Sequence, residues 1–348
     1  MAARPIARED LDHVLESTRP LWEELRGERL FLTGGTGFFG CWLTETFCYA
    51  NRILGLGAQA VVLTRNPTAF VNKMPHIAQD SALLLHEGDV REFTYPEGTF
   101  RFVIHAATEA SAKQAAEAPL EMLTTILAGT QRTLDFSSSH GTRKFLLTSS
   151  GAVYGTQPSV MTHVEETYTG APNSLDPGSV YAEGKRASEM MCALYAKTSA
   201  MECKIARCWA FSGPHLPLNA HFAVGNFLAD VLAGRAIQIG GDGTPRRSYL
   251  YAADLAIWLW TMLFRAPALV PFNIGSARDL SILELARVVA GSLGAETEIR
   301  VAKTAAVGAD VARYVPSVDR AAEVLGLRET VSLEEGIRRM AVWHGGIA

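Results

Sequence analysis

The chain of 348 residues is long enough for two domains, or for one large α/β domain with a lobe. Its hydrophobic fraction of 48% and charged fraction of 20% are those of a soluble globular protein. The net charge of −4 leaves no basic footprint for nucleic acid or a membrane surface, so neither is an expected partner.

In chain order, Met1 to Arg8 is basic but has no apolar h-region, so no signal peptide is expected. Residues 9–26 place Leu11, Val14, Leu15, Leu21, Trp22 and Leu25 near helical spacing, with a break at Pro20. This helical extension, 1–28, is expected to pack on the outside of the domain that begins with the first strand.

Leu30 to Thr33 reads as an apolar strand that runs into Gly34, Gly37 and Gly40, with an apolar helix from Cys41 to Leu56. In a strand–turn–helix unit, the first glycine permits a tight turn and the second lets the backbone approach a pyrophosphate. The third lets helix pack on strand. Phosphates would then meet the free N–H groups of the helix N-terminus. Glycine spacing alone is also compatible with a flexible loop.

Further strands are predicted at Ala60–Thr64, Leu83–Glu87, Phe102–His105, Lys144–Thr148 and Cys203–Arg207, with helices over about 120–138 and 179–199. This alternation predicts a doubly wound parallel Rossmann sheet with ligands at the carboxyl ends of its strands. Beyond Gly213-Pro214 the chain is richer in turns. The expected division is a dinucleotide-binding domain over 29–212, its sheet completed by about 248–273, and a smaller C-terminal α/β substrate lobe over 213–247 and 274–348. Tyr249 to Phe264 is apolar but interrupted by Asp254 and shorter than the roughly 18 residues of a membrane span, so a buried helix is expected. Cys41, Cys48, Cys192, Cys203 and Cys208 show no metal-like pairing, and their odd number argues against a disulfide framework. A reducing cytoplasm fits this usage. The histidines at 13, 76, 140 and 163 show no metal spacing, and no metal is expected.

Tyr181 and Lys185, four apart near the start of a predicted helix, share one face. An ammonium beside a phenol favours phenolate, which makes Tyr181 a candidate acid–base; an exposed helix face is the alternative. Thr148 to Gly155 lies at the end of the fifth strand. A hydroxyl there can hold a substrate oxygen that alternates between alcohol and ketone, or simply cap the next segment.

The glycine motif, Ser150 in Ser-Ser-Gly-Ala-Val-Tyr-Gly and the Tyr181/Lys185 pair occur together in order. With them stand Gly88-Asp89-Val90, His105-Ala106-Ala107, Gly129-Thr130, Arg247-Ser248-Tyr249 with Asp254, and Phe272-Asn273-Ile274-Gly275. From about Glu28 onward the set resembles the extended short-chain dehydrogenase/reductase family, in particular its nucleotide-sugar epimerases and dehydratases. The resemblance implies Tyr181 as acid–base, Lys185 as holder of the cofactor ribose, and Ser150 as binder of the reacting sugar oxygen. It also implies a cofactor seat made by Gly34, Thr36, Gly37, Phe38, Phe39, Gly40, Thr64, Arg65, Asp89, Val90, Ala106, Ala107 and Thr108. Arg247 would grip a nucleotide diphosphate, and His221 and Asn226 would contact the nucleotide. The helices from Leu120 to Leu134 and around Tyr181 match the family's dimer helices, which implies a homodimer.

Four positions depart from the family pattern. Gly151 and Ala152 stand where 4,6-dehydratases carry an Asp-Glu pair, so elimination lacks its acid and base. Gly184 replaces a serine or threonine before the lysine, Ala210 an asparagine, and Ile126 an asparagine before Gly-Thr. The expected cofactor is tightly bound NAD(P). With no acidic residue near Thr64-Arg65-Asn66, NADP is slightly favoured through Arg65. The expected reaction is epimerisation of a nucleotide sugar through a transient keto-sugar. A 4,6-dehydratase and a 4-keto-sugar reductase are the enzymatic alternatives, and a non-catalytic NAD(P) sensor is a remote one.

Overall fold

The computed structural model describes residues 2–108, 112–220, 222–306, 308 and 310–345. Seven apolar runs form one all-parallel sheet: β1 (Arg29–Thr33), β2 (Gln59–Thr64), β3 (Leu83–Glu87), β4 (Phe102–His105), β5 (Lys144–Ser150), β6 (Glu202–Cys208) and β7 (Pro271–Ile274). Their order across the sheet is β3-β2-β1-β4-β5-β6-β7. The direction of strand addition reverses beside β1, which opens a crevice above the ends of β1 and β4. Both faces of the sheet are covered, which is why most of its strands read as continuous apolar runs.

The helices are α1 (Arg8–Thr18), α2 (Phe38–Leu54), α3 (Pro67–Lys73), α4 (Ala112–Glu117), α5 (Pro119–Ser139), α6 (Val180–Thr198), α7 (Ala223–Leu232), α8 (Ala252–Arg265), α9 (Ile282–Ser292), α10 (Asp319–Leu325) and α11 (Leu333–Trp343). On one face, α1, α2 and α8 bury Trp22, Trp42, Trp258 and Trp260. On the other, Phe31, Phe93, Phe100 and Phe136 pack under α5 and α6. Pro20 ends the first helix as expected: the chain tightens into a 3-10 segment, Arg19–Leu25, that still drives Trp22 against Trp260 with ring centroids 4.6 Å apart.

Two boundaries differ from expectation in ways that matter. β5 continues through Ser149 and Ser150, paired to Arg207 and Cys208, before a 3-10 turn at Gly151–Tyr154. The run from Tyr249 splits into a short strand, Leu250–Tyr251, and the buried helix α8; among the described residues no helix is long and apolar enough to cross a membrane.

C-terminal of β6 a second core gathers Leu216, Val224, Phe227, Leu285, Ile337 and Met340. Short strands complete it: Arg246–Arg247 lies between Leu280–Ser281 and Arg313–Tyr314, and Ile237–Ile239 pairs with Ile299–Val301.

Candidate active site

The turn between β1 and α2 is shaped by what its glycines lack. Gly34 has φ +76°, and a Cβ there would stand 2.5 Å from the Ala106 carbonyl, so the bare backbone lets the segment after β4 close onto the loop. A Cβ on Gly40 would stand 2.2 Å from the Gly34 oxygen; its role is to seat the helix on the loop itself. Gly37 differs, with its nearest neighbour 3.5 Å away. Its open side leaves room for a ligand. Lys73 of α3 donates to the Thr36 carbonyl at 2.7 Å and brings a cation to this loop that no motif announced.

Above the loop lies a cavity of about 310 Å³ lined by Gly34, Thr36, Gly37, Thr64, Arg65, Asp89, Val90, Ala106, Ala107 and Thr108. An adjoining cavity of about 260 Å³ shares Gly34, Gly37, Ala106 and Thr108 and adds Phe38, Phe39, Ser150 and Tyr181. The two form one cleft along the strand ends. The Thr108 hydroxyl, at their junction, is buried without a hydrogen-bond partner among the described residues. A side-chain-free cradle, a polar atom awaiting a partner and a cleft running from Arg65 to Ser150 fit an extended dinucleotide. At the Arg65 end Asp89 receives two hydrogen bonds from the Arg91 guanidinium, at 2.8 and 3.1 Å, which hold its carboxyl below the usual range.

β5 sorts its two serines by alternation. The Ser149 hydroxyl donates to Glu189 at 2.5 Å, and Glu189 also takes a forked pair of bonds from Arg207 at 3.0 and 2.7 Å. Ser150 points the other way. Its Oγ accepts the Ala152 N–H at 3.1 Å, so it caps the turn, and it lines the same cavity as Tyr181. Capping and facing the cleft, offered by the sequence as alternatives, are both performed by one hydroxyl.

Helix α6 brings Tyr181 and Lys185 onto one face. The Lys185 ammonium donates to the Thr148 carbonyl at 2.8 Å and lies 5.9 Å from the centroid of the Tyr181 ring. The expected lowering of the phenol by the lysine is not what this arrangement produces. Burial pushes Tyr181 up to about 12, with the neighbouring Ser150 hydroxyl pulling the other way. Burial also brings Lys185 down to about 8. Lys185 is spent first on holding the strand end.

The departures from the family pattern acquire physical reasons. A Cβ on Gly151 would lie 2.6 Å from the Trp209 ring and 2.8 Å from the Tyr314 hydroxyl, so no acid fits there. Gly184 and Ile126 are one exchange rather than two: a Cβ on Gly184 would lie 3.0 Å from the Ile126 side chain, which fills that space. Ala210 lines the cavity beside Ser150.

Arg247 has no carboxylate partner among the described residues, whereas its neighbours Arg246 and Arg313 both pair with Asp279. Its guanidinium lies 5.7 Å from the centroid of the Tyr314 ring. Asn226 is not at the Ser150 cavity; it lines a separate one of about 310 Å³ with Gln238, Ile239, Gly240 and Gly241. His221 lies outside the described residues, and the neighbouring Phe222 lines the Ser150 cavity. Sequence reasoning missed Tyr314, Trp209 and Lys73, which reach the site from distant segments that carry no spacing signal.

The model of the NAD dependent epimerase/dehydratase family matches residues 30–275. The chain belongs to this family. It is 31% identical over 312 residues to UDP-glucuronic acid decarboxylase 1 of Xenopus tropicalis, a match that covers 90% of this chain and 71% of that one. Among solved structures of the epimerase/dehydratase fold, UDP-glucose 4-epimerase of Thermus thermophilus, in complex with NAD, superposes with a TM-score of 0.73 at 25% identity. That match covers 92% of this chain and 100% of the other. DesIV, the dTDP-glucose 4,6-dehydratase of Streptomyces venezuelae with NAD and TYD bound, superposes with a TM-score of 0.77 over 91% and 97% of the two chains. At 24% identity it speaks to the fold alone. The family match spans both the glycine turn and the positions of Ser150, Tyr181 and Lys185.

Proposed function

We propose that this enzyme is a nucleotide-sugar epimerase that works through a transient keto-sugar. The observation that carries the reading is the pairing of Ser150 with Tyr181 in the dinucleotide cleft, with no acidic side chain at Gly151 or Ala152. Residues 34–40, Thr64, Arg65, Asp89, Val90, Ala106, Ala107 and Thr108 would hold the dinucleotide, with Lys185 at its ribose. Bound there, the nicotinamide supplies a reversible hydride acceptor.

Tyr181 takes the proton of the sugar hydroxyl as that carbon, C4 in the first instance, gives up its hydrogen with the electron pair. Ser150 donates to the oxygen as it becomes a ketone. After the sugar turns, the hydrogen returns to the other face and Tyr181 gives the proton back. Atoms and charge balance, and the product is an isomer. Burial works against ionising Tyr181, so the cationic ring of the bound cofactor and Ser150 have to offset it.

The nucleotide is expected to span the lobe, with its diphosphate at Arg247, which has no carboxylate partner among the described residues, and its base near Asn226; a nucleotide contact by His221 is part of the same proposal. On this reading 29–212 with 248–273 binds the dinucleotide, and 213–247 with 274–348 binds substrate. A homodimer through α5 and α6 is supported by Leu120, Met190 and Leu194, which these helices leave exposed. Arg65, exposed at the cleft, is the one feature that favours NADP. The Thermus thermophilus epimerase was solved in complex with NAD, and we take NAD first.

A second reading, decarboxylation, is favoured by the sequence relatives. A 4-keto uronic acid is a β-keto acid and loses carbon dioxide without a paired acid and base beside Ser150. Against it, the described lining of the Ser150 cavity, which sets Phe38, Phe39, Trp209, Phe211 and Phe222 beside the hydroxyls of Thr108, Thr148 and Tyr181, contains no arginine or lysine for a carboxylate. Mass spectrometry of NAD-loaded protein incubated with UDP-glucose, UDP-N-acetylglucosamine, dTDP-glucose and UDP-glucuronate tests the choice. An isomer of unchanged mass is expected. Loss of carbon dioxide selects the second reading, and loss of water or a requirement for added reductant rejects both.

A further inference from the structure

Ser150 is held in place by its neighbours on both sides. The residue before it, Ser149, stands directly opposite Arg207 of β6, so the two side chains leave the same face of the sheet. Glu189 of α6 meets both. Its Oε1 accepts the Ser149 hydroxyl at 2.5 Å and the Arg207 Nε–H at 3.0 Å, and its Oε2 accepts an Arg207 Nη2–H at 2.7 Å. Glu189 lies one helical turn beyond Lys185 and two beyond Tyr181, so one stripe of α6 carries all three. The Glu189 and Arg207 side chains are only 16% and 15% exposed, which shields these charge-assisted bonds from water.

The other side of Ser150 is held as well. Tyr154, at the end of the turn, places its ring under the same guanidinium, whose carbon lies 4.7 Å from the ring centroid. Its hydroxyl donates to Asn273 at 3.0 Å. Two more bonds come from α6: Lys185 donates to the Thr148 carbonyl at 2.8 Å, and Arg186 to the Val153 carbonyl at 2.9 Å. The Glu189–Arg207 pair therefore spans both ends of the segment that carries Ser150. Within that segment the Ala152 N–H donates to Ser150 Oγ at 3.1 Å, a bond that lasts only while the hydroxyl keeps its direction.

We propose that Glu189 is a positioning residue: by tethering Ser149 to α6 it sets the strand end so that the Ser150 hydroxyl meets the reacting sugar oxygen beside Tyr181. The proposal rests on the role given above to Ser150, and Glu189 acts through Ser149. Glu189→Gln keeps the shape of the side chain, but an amide has one acceptor oxygen and two hydrogens. With its oxygen towards Ser149 its NH2 faces the Arg207 Nη2–H; turned over, it faces the Arg207 Nε–H. Ser149→Ala cuts the tether alone and leaves the ion pair in place.

The test is amide hydrogen exchange of the NAD-loaded protein, read by NMR at Ala152 and at Leu146, which is buried within β5. In each variant Ala152 is expected to exchange about 5- to 10-fold faster, the worth of one hydrogen bond, with Leu146 unchanged. Unchanged Ala152 exchange in either variant overturns the proposal. In Glu189→Gln it would mean that the carboxylate is not needed, and in Ser149→Ala that the effect runs through Arg207 and Tyr154. Equal acceleration at Leu146 would mean general loosening of the sheet and overturns it too. With a nucleotide sugar the wild type converts, each variant is expected to lower kcat per bound NAD about 3- to 10-fold and leave KM within about twofold. The double variant is expected to be no slower than Glu189→Gln, because both changes cut one link. Losses that multiply, or a raised KM with unchanged kcat, contradict the proposal. If Ala152 exchange responds while the wild type converts no nucleotide sugar, the proposed reaction fails and the positioning of Ser150 stands.

Discussion

A buried titratable residue behind the cleft shows how single side chains are kept in one state. His105, at the end of β4, is hydrogen-bonded through Nδ1 to the Thr33 hydroxyl at 2.8 Å and through Nε2 to the Thr130 hydroxyl at 3.2 Å. Thr33 in turn accepts the Ala107 N–H at 3.1 Å, so the network sets the floor of the cofactor cavity. Burial pulls His105 down to about 3, with the Lys185 ammonium adding to the effect. Above the unfolded value of about 6.5 both states are neutral. As the pH falls, the unfolded chain takes up the proton while the folded chain resists until about 3, so stability present near neutrality is lost across that window. The urea midpoint of the wild type should therefore fall more steeply between about pH 7 and about pH 4 than that of His105→Asn; parallel slopes would remove His105 from the account. Tyr181, Lys185 and Ser150 were legible in the sequence because helix spacing and a strand end determine where such side chains point. Tyr314 was not, because the partner that gives it meaning, Gly151, is joined to it only through the tertiary fold.

At the scale of elements, the glycine turn separates stability from ligand binding. Gly40→Ala forces a Cβ into the Gly34 carbonyl and the Gly35 backbone. It should cost about 1–3 kcal/mol in denaturant unfolding and lose NAD as a consequence. Gly37→Ala meets nothing nearer than 3.5 Å within the protein, so its unfolding midpoint should stay close to that of the wild type while NAD affinity, read by calorimetry, falls. Equal effects of the two substitutions on stability would mean that the open side of Gly37 is not where the ligand lies. The central strands and the helices of the sheet layer were readable because burial on both faces gives continuous apolar runs and amphipathic helices keep their period. The strands of two and three residues in the lobe carry too few positions for any period, and the Gly184–Ile126 exchange appears in sequence as two unrelated oddities.

For the whole molecule, the N-terminal helix ties the two cores together. Asp10 of α1, fully buried, accepts the Tyr251 hydroxyl at 2.7 Å and the Arg339 guanidinium at 2.5 Å, and so links the helix layer on the sheet to α11 of the lobe. Asp10→Ala leaves the Tyr251 hydroxyl without its partner and should lower unfolding stability by about 2–3 kcal/mol. A change of only a few tenths would reduce this contact to a surface ornament. Val14, Leu15, Trp22 and Leu25 of this segment enter the core beside α2 and α8, and the sequence held no sign that it also reaches the lobe, since Asp10 and Arg339 lie at opposite ends of the chain. The central claim is that Ser150, Tyr181 and Lys185 pass a proton and allow hydrogen to leave and return at one sugar carbon. The direct measurement follows a nucleotide sugar deuterated at C4 through NAD-loaded wild type and Tyr181→Phe, with NMR and mass spectrometry of the product. The account predicts an inverted C4 that keeps its deuterium, and a rate about 10²- to 10⁴-fold lower in Tyr181→Phe, with NAD still bound. Deuterium lost to solvent, or equal rates in the two proteins, would contradict it.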